Sequence, residues 1–328
     1  MASGKIPLII NADPGADDAL AVVMALASPK LDIKLITSSA GNLGIDICTR
    51  NSLHLVERMK KKTPVARGAE DSMMPDRENF AHVHGVSGFG SYNPTEPTIK
   101  VSKKEAFEAM YDVLKKSRKK VTILSIAPLT NIAKMLLHFP YCKMYIEKIV
   151  FMGGTKEEEN TYNPHNGNKT PYPSSNVNYD PAAATILLAS GVPCVFVPSE
   201  MGHNAYLDLE DIEDVKKYGE IGEMLHKIFE EYDDGHVTRD MGVATHDSAA
   251  LAYILDPTLF KTEDVVCSMK WYNYEKKKDG IIYCDIIKNN IASIHKLCVD
   301  INDIGFKKLV FNLLRDNQKE METSDEDQ

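Results

Sequence analysis

The sequence contains no run of about 18 apolar residues, the length a membrane-crossing helix needs, so no membrane partner is expected. Its six cysteines (Cys48, Cys142, Cys194, Cys267, Cys284 and Cys298) are scattered and include no Cys-x-x-Cys pair. That argues against a disulfide scaffold or a cysteine zinc site, and reads instead as reduced core thiols in a cytoplasmic protein. Positive charge is scarce, with 38 Lys and Arg against 47 Asp and Glu and a formal net charge of −9. The only notable basic clusters, at 60–62 and 115–120, sit on expected helix ends and read as solvated faces, so nucleic acid is not an expected partner. There is no internal repeat. The N-terminal Met-Ala-Ser-Gly-Lys leads straight into a strand-like Leu8-Ile9-Ile10, and no signal peptide is expected.

What is present is an ordinary globular balance, 43% hydrophobic and 26% charged over 328 residues. Apolar, β-rich runs alternate with helix-period stretches, the pattern of βαβ units around a parallel sheet. Strands are expected at 6–10, 33–40, 121–127, 149–152 and 193–198, and helices at 16–27 and 45–61. Late in the chain, 265–275 and 281–287 flank a charged, Gly-containing turn and predict a β-hairpin, followed by a helix near 303–314. Trp271, the single tryptophan, reads as hairpin core. The expected architecture is one α/β domain over 1–314, with a mostly parallel, Rossmann-like sheet flanked by helices. The polar tail 315–328 is expected to be disordered. Two long polar segments, 68–97 and 156–175, read as binding loops or lids.

The chemistry concentrates in Asn11-Ala12-Asp13-Pro14-Gly15-Ala16-Asp17-Asp18-Ala19, where the first strand should end. In parallel α/β sheets ligands bind beyond the carboxyl ends of strands. Three carboxylates so close together repel one another, and a hard cation with oxygen ligands offsets that repulsion. Pro14-Gly15 makes a turn that lets Asp13 and Asp18 converge. A plainer reading stands beside this one, in which Asp17 or Asp18 caps the following helix. An acidic turn after a first strand also occurs in aspartyl-phosphate phosphatases, but their nucleophile position is occupied here by Asn11.

Further segments resolve the choice. The run Asp13-Pro14-Gly15-x-Asp17-Asp18-Ala19 resembles the signature of the nucleoside hydrolase family. So do Gly41-Asn42, His82-x-His84-Gly85, Pro128-Leu129-Thr130-Asn131-Ile132-Ala133, Met152-Gly153-Gly154, Asn176 with Asp180-Pro181, and His246-Asp247. They fall in the family's order from residue 6 to about 257.

The resemblance implies calcium-dependent hydrolysis of the N-glycosidic bond of ribonucleosides, giving ribose and a free purine or pyrimidine base for salvage. It implies one Ca²⁺ held by Asp13, Asp18, Asp247 and the backbone carbonyl of Ile126, with water and ribose hydroxyls completing the 6–8 oxygens that calcium takes. Asp13 would serve as general base. Asp17, Asn42, Asn176 and Asp247 would meet the ribose, Met152 would line the sugar pocket and His82 would lie near the base. His246 stands where one branch of the family has its general acid, and His84 reads as structural. A small-molecule ribonucleoside is the implied partner, and a homodimer or homotetramer the implied assembly.

The chain departs from the family pattern at a few positions. Asn11 stands where most relatives have Asp, which removes one charge behind the ligands. By its spacing from Asn176, Ser174 replaces a Glu that in the family holds the ribose 5′-hydroxyl, so either one of Asn160, Asn163, Asn166 and Asn168 of the long loop substitutes or the 5′ end of the substrate differs. Asp234 aligns with a tyrosine of inosine-uridine enzymes. Purine-preferring members carry Trp where this chain has His246, which favours the base-nonspecific branch. Asn11 and Ser174 also motivate a second reading, a relative that binds ribose or calcium without turnover.

Overall fold

Successive residues of the first strand bury themselves on opposite sides. Leu8, Ile10 and Ala12 belong to one apolar cluster and Ile9 to another, and Val150 and Met152 alternate in the same way with Ile149 and Phe151. Strands buried on both faces need helices on both faces, which the intervening sequence supplies. The computed structural model describes residues 4–74, 81–156, 174–233, 240–274, 277–287 and 293–326. Asn160, Asn163, Asn166, Asn168 and Asp234, weighed above for the substrate pocket, lie outside the described residues.

The strands are β1 (Ile6–Ala12), β2 (Leu31–Ser38), β3 (Val65–Ala66), β4 (Val121–Ser125), β5 (Ile146–Met152) and β6 (Thr155–Lys156). They continue with β7 (Cys194–Val197), β8 (Leu207–Asp208), β9 (Gly242–Val243), β10 (Phe260–Tyr274), β11 (Lys277–Ile286) and β12 (His295–Ile301). Ten of them form one sheet in the order β3-β2-β1-β4-β5-β7-β12-β10-β11-β6. From β3 through β12 every pairing is parallel. The pairings of β10 with β12 and with β11 are antiparallel, so the expected hairpin is present, longer than its sequence signal. Trp271 pairs with Gly280 across that hairpin, and its side chain is outside the described part. The order reverses between β1 and β4, the crevice where doubly wound sheets bind ligands.

One face of the sheet carries the helices Ala16–Ala27, Ile45–Arg58, Gly219–Phe229, His246–Leu255 and Asp303–Glu326. The other carries Ala106–Lys116, Thr130–His138 and Pro181–Ser190. Every residue of Ala16–Ala27 and of His246–Leu255 is buried, and the two helices pack on each other. Beyond the polar first turns (Asp17 and Asp18, and His246, Asp247 and Ser248), their mostly small or apolar residues suit a layer covered on both sides.

One expectation is corrected. The segment 315–328, expected to be a disordered tail, continues the last helix as far as Glu326. Asn317 is buried, Met321 packs against the core, and the Glu320 carboxylate meets Lys61 Nζ at 2.6 Å. Among the described residues no helix is long and apolar enough to cross a membrane.

Candidate functional site

At the end of β1 the chain turns through Pro14-Gly15 into the helix Ala16–Ala27, and Asp18 shapes the turn. Its Oδ1 accepts the Asp13 N–H at 3.2 Å and its Oδ2 the Gly15 N–H at 3.1 Å. The helix-capping reading is therefore correct for Asp18, and it brings the other carboxylates together. Asn51 Nδ2 holds the Pro14 carbonyl at 2.9 Å, and His84 Nδ1 accepts the Ala16 N–H at 3.2 Å. The His84 ring also lies 5.5 Å from that of Tyr232. His84 thus anchors the acidic turn, whereas His82, on the same short helix Ala81–His84, is exposed.

Asn42, just beyond β2, closes the turn from the other side. Its N–H donates to Asp13 Oδ2 at 2.7 Å, and its side-chain Nδ2 to Asp18 Oδ2 at 2.9 Å and the Asp13 carbonyl at 3.3 Å. Gly41 leaves the space for this approach, because a Cβ there would overlap Asp13 Oδ2 and the Pro128 ring.

Carboxyl oxygens of Asp17, Asp18 and Asp247 lie within 4.8 Å of one another, all three residues buried. Asp17, expected on the ribose, therefore sits among the expected cation ligands. Asp13 is 1% exposed, and its Oδ1 has no hydrogen-bond partner among the described residues, nor has Oδ1 of Asp17. Burial raises the Asp13 carboxyl well above its usual range, and repulsion from Asp18 and Asp17 adds to this. Asp18 is pushed up to about 7, first by burial and then by Asp17. Asp247 is raised by burial and then by Asp17, Asp18 and Asp13, and it shares a hydrogen bond with Asp18. Buried carboxylates with unpartnered oxygens and suppressed ionisation form a donor set that a hard divalent cation fits. Ile126 lies directly after β4 and is buried, with its N–H bonded to the Asn11 carbonyl at 2.9 Å.

Asn11 lies beneath this cluster. Its Nδ2 donates to Ser125 Oγ and to the Pro128 carbonyl, each at 3.1 Å. Its Oδ1 accepts from Thr37 Oγ1 at 3.1 Å and from Asn131 Nδ2 at 2.9 Å. The amide is saturated, and its orientation is dictated by the Pro128 carbonyl, which can only accept.

On the flank, Asn176 Nδ2 reaches the Met152 carbonyl at 3.3 Å and the Met152 sulfur at 3.4 Å, so these two expected ribose neighbours touch. Ser174 Oγ is buried with no hydrogen-bond partner among the described residues. Asp180, whose motif suggested a site role, is architectural. It caps the helix Pro181–Ser190 through the Ala183 N–H and ties in Thr130 and the Met73 N–H. His246 opens its helix with Nδ1 at 3.1 Å from the Ser199 carbonyl, its ring centroid 4.6 Å from that of His203. Sequence reasoning did not single out Ser199, Gly202 or His203, although their place beyond the carboxyl end of β7 was an available signal.

The comparisons with known proteins bear on the family and the fold. The family model described as inosine-uridine preferring nucleoside hydrolase matches residues 8–308. The protein named non-specific ribonucleoside hydrolase RihC from Escherichia coli (strain SMS-3-5 / SECEC) is 31% identical over 310 residues, 94% of this chain and 98% of the relative. A Shigella flexneri protein of the same name matches at the same level. Among solved structures, a purine-preferring ribonucleoside hydrolase from Gardnerella vaginalis superposes with a TM-score of 0.83 at 25% identity, covering 95% of this chain and 99% of that one. A plant nucleoside hydrolase, the PpNRh1 enzyme, gives 0.81 at 25% identity, covering 94% and 99%.

Proposed function

The chain belongs to the inosine-uridine preferring nucleoside hydrolase family and is a nucleoside N-ribohydrolase, and from that premise we propose a calcium-dependent reaction on purine and pyrimidine ribonucleosides alike. The observation that carries the proposal is the buried group of Asp17, Asp18 and Asp247, with the buried Asp13 carboxyl outside that group but within reach of its charges, and with oxygens of Asp13 and Asp17 unpartnered among the described residues. Asp13, Asp18, Asp247 and the Ile126 carbonyl would hold Ca²⁺, with Asp17 beside them. When bound, the cation supplies positive charge that offsets the carboxylates' repulsion and lowers the pKa of water.

In the reaction, the water oxygen bonds to C1′ of the ribose while the bond from C1′ to the base nitrogen breaks, its electron pair leaving with the base. Asp13 takes the water proton through the side of the carboxylate that Asn42 does not hold. Asp17, Asn42, Asn176 and Asp247 orient the ribose hydroxyls, and Met152 lines the sugar. The carboxylates stabilise the positive charge that develops on the ring. His246, as the imidazolium, gives the leaving base a proton, and the exposed His82 would lie near the base. The buried Ser174 hydroxyl is available to the 5′ end. The relatives' names range from non-specific to purine-preferring, and His246 in place of a stacking Trp supports the broader specificity.

The test is reducing-sugar release from inosine, adenosine, guanosine, cytidine and uridine, with and without a calcium chelator. Chelator-sensitive release from both purine and pyrimidine substrates is expected. Asp13→Ala should lower kcat by about 100-fold or more. Release that survives the chelator would remove calcium from the proposal, and an active Asp13→Ala would remove Asp13 as base. A homodimer or homotetramer acting in cytoplasmic nucleoside salvage completes the proposal. Exposed Leu137, Tyr141 and Met144 offer an apolar surface for assembly, to be checked by sedimentation equilibrium.

A further inference from the structure

The peptide unit between Pro14 and Gly15 forms the bend of the acidic turn, and it is gripped at both ends. Its N–H, from Gly15, donates to Asp18 Oδ2 at 3.1 Å. Its carbonyl, from Pro14, accepts from Asn51 Nδ2 at 2.9 Å. A peptide unit is planar, so the group that holds the oxygen also decides where the N–H points. Asn51 stands on the helix Ile45–Arg58 and is fully buried. The second hydrogen of its amide goes to the Ser87 carbonyl at 3.0 Å. Both carbonyls can only accept, which gives the amide one orientation. Arg50 reinforces it, donating to Asn51 Oδ1 from Nε at 3.2 Å and from Nη2 at 2.9 Å. The loop comes this close through a glycine: Gly88 has φ +83°, and a Cβ there would sit 2.7 Å from Asn51 Nδ2 and 3.1 Å from the Pro14 carbonyl oxygen.

We infer that Asn51 is a positioning residue for the cation site, presenting Asp18 by locking the Pro14–Gly15 peptide and tying the segment 87–92 to the same turn. The inference rests on the proposed reading that Asp18 is a calcium ligand. Asp18 Oδ2 is the oxygen that the Gly15 N–H and Asn42 Nδ2 both address. A flipped peptide would withdraw the Gly15 N–H from that oxygen and turn a carbonyl towards it. Asn51 opposes the flip, although its own oxygen is turned to Arg50. Groups that orient the ligands of a metal in this way are worth about 10- to 100-fold in affinity.

Calcium affinity is read by isothermal titration calorimetry on the chelator-stripped chain, with no substrate present. Asn51→Ala should weaken it about tenfold or more. Val310→Ala serves as the control, because it opens a cavity under the last helix, outside the site. It should lower the melting midpoint and leave calcium affinity within about twofold of wild type. Hydrogen exchange on the wild-type chain gives a second measurement that needs no folded variant. The segment 87–92 supplies none of the expected ligands, yet calcium should slow its exchange by about threefold or more through the Asn51 bridge. In Asn51→Ala that slowing should vanish.

A loss of calcium affinity in Asn51→Ala that Val310→Ala matches would be the mark of a general structural role and would overturn the inference. So would a calcium effect on 87–92 that is absent from wild type or persists undiminished in Asn51→Ala. A wild-type chain that takes up no calcium in the calorimeter would overturn the calcium reading and this inference with it. Calcium bound equally well by wild type and Asn51→Ala would leave that reading standing and remove only the inference.

Discussion

Asn11 makes four hydrogen bonds, two given and two received, and each partner comes from a different part of the strand-end network. An aspartate there would aim an oxygen at the Pro128 carbonyl and add a charge below four buried carboxylates. Asn11→Asp should cost at least about 2 kcal/mol of unfolding free energy in the presence of chelator, read by urea denaturation. A neutral result would mean that the amide's directionality is unimportant. The acidic residues themselves set a pH dependence. Asp13, Asp18 and Asp247 all have folded pKa values above the usual 3.8, Asp18 about 7. A group raised in the folded state keeps a proton that the unfolded chain has released, so its contribution is full below pH 3.8 and is lost as pH rises through the folded value. The chelated protein should therefore lose stability between about pH 4 and 7, and saturating calcium should flatten that slope. Stability that rises across this range in chelator would contradict the assignment. At this scale the acidic turn was legible because like charges in a turn demand an explanation. The partners of Asn11 were not, because Ser125, Pro128 and Asn131 lie more than a hundred residues away and no local pattern announces them.

At the scale of elements, the last helix shows where polarity misleads. Beyond Leu314 the sequence is almost wholly charged or amide-bearing, which reads as disorder. Yet Phe306, Val310, Leu313, Leu314, Asn317 and Met321 keep a helical spacing, and all but the half-buried Met321 are buried. Two side chains at the right period suffice when a preformed core receives them. Removing 315–328 should lower stability by about 1–3 kcal/mol, mostly from Asn317 and Met321, since the Lys61–Glu320 pair is largely exposed and worth little. An unchanged melting midpoint on truncation would show that the extension is idle. The hairpin was legible as two strand-like runs about a charged, Gly-containing stretch, although Lys277, Lys278, Asp279 and Gly280 of that stretch pair within β11 instead of turning. The helix Ser199–Asn204 was not, being short and lacking any apolar period of its own.

For the whole molecule, the alternation of strands and helices revealed the layers, and the ordered motifs pointed to the family and the candidate site. Strand order was not readable. That β4 lies beside β1, and that β6 crosses to the far edge of β11, depends on pairings between distant segments whose side chains carry no register code. The same long connections make a global prediction. The expected cation ligands span residues 13 to 247, so binding joins the beginning of the chain to a helix late in it. Calcium at about 100 times its dissociation constant should add about 2.7 kcal/mol to unfolding. The melting midpoint should rise as one transition, and a rise confined to a minor early transition would show that the site is coupled only to its own loops.

The helices Ala16–Ala27 and His246–Leu255 both begin at the acidic cluster, with Asp17 and Asp18 in the first turn of one and Asp247 in the first turn of the other. Each helix presents the positive end of its macrodipole there, equivalent to roughly half an elementary charge. Two such ends amount to roughly one positive charge built permanently into the backbone beneath four carboxylates. That fixed field is independent of any dissolved ion. The crevice should therefore survive loss of its cation as a folded, recharging receptacle, able to exchange one divalent ion for another without passing through an unfolded chain.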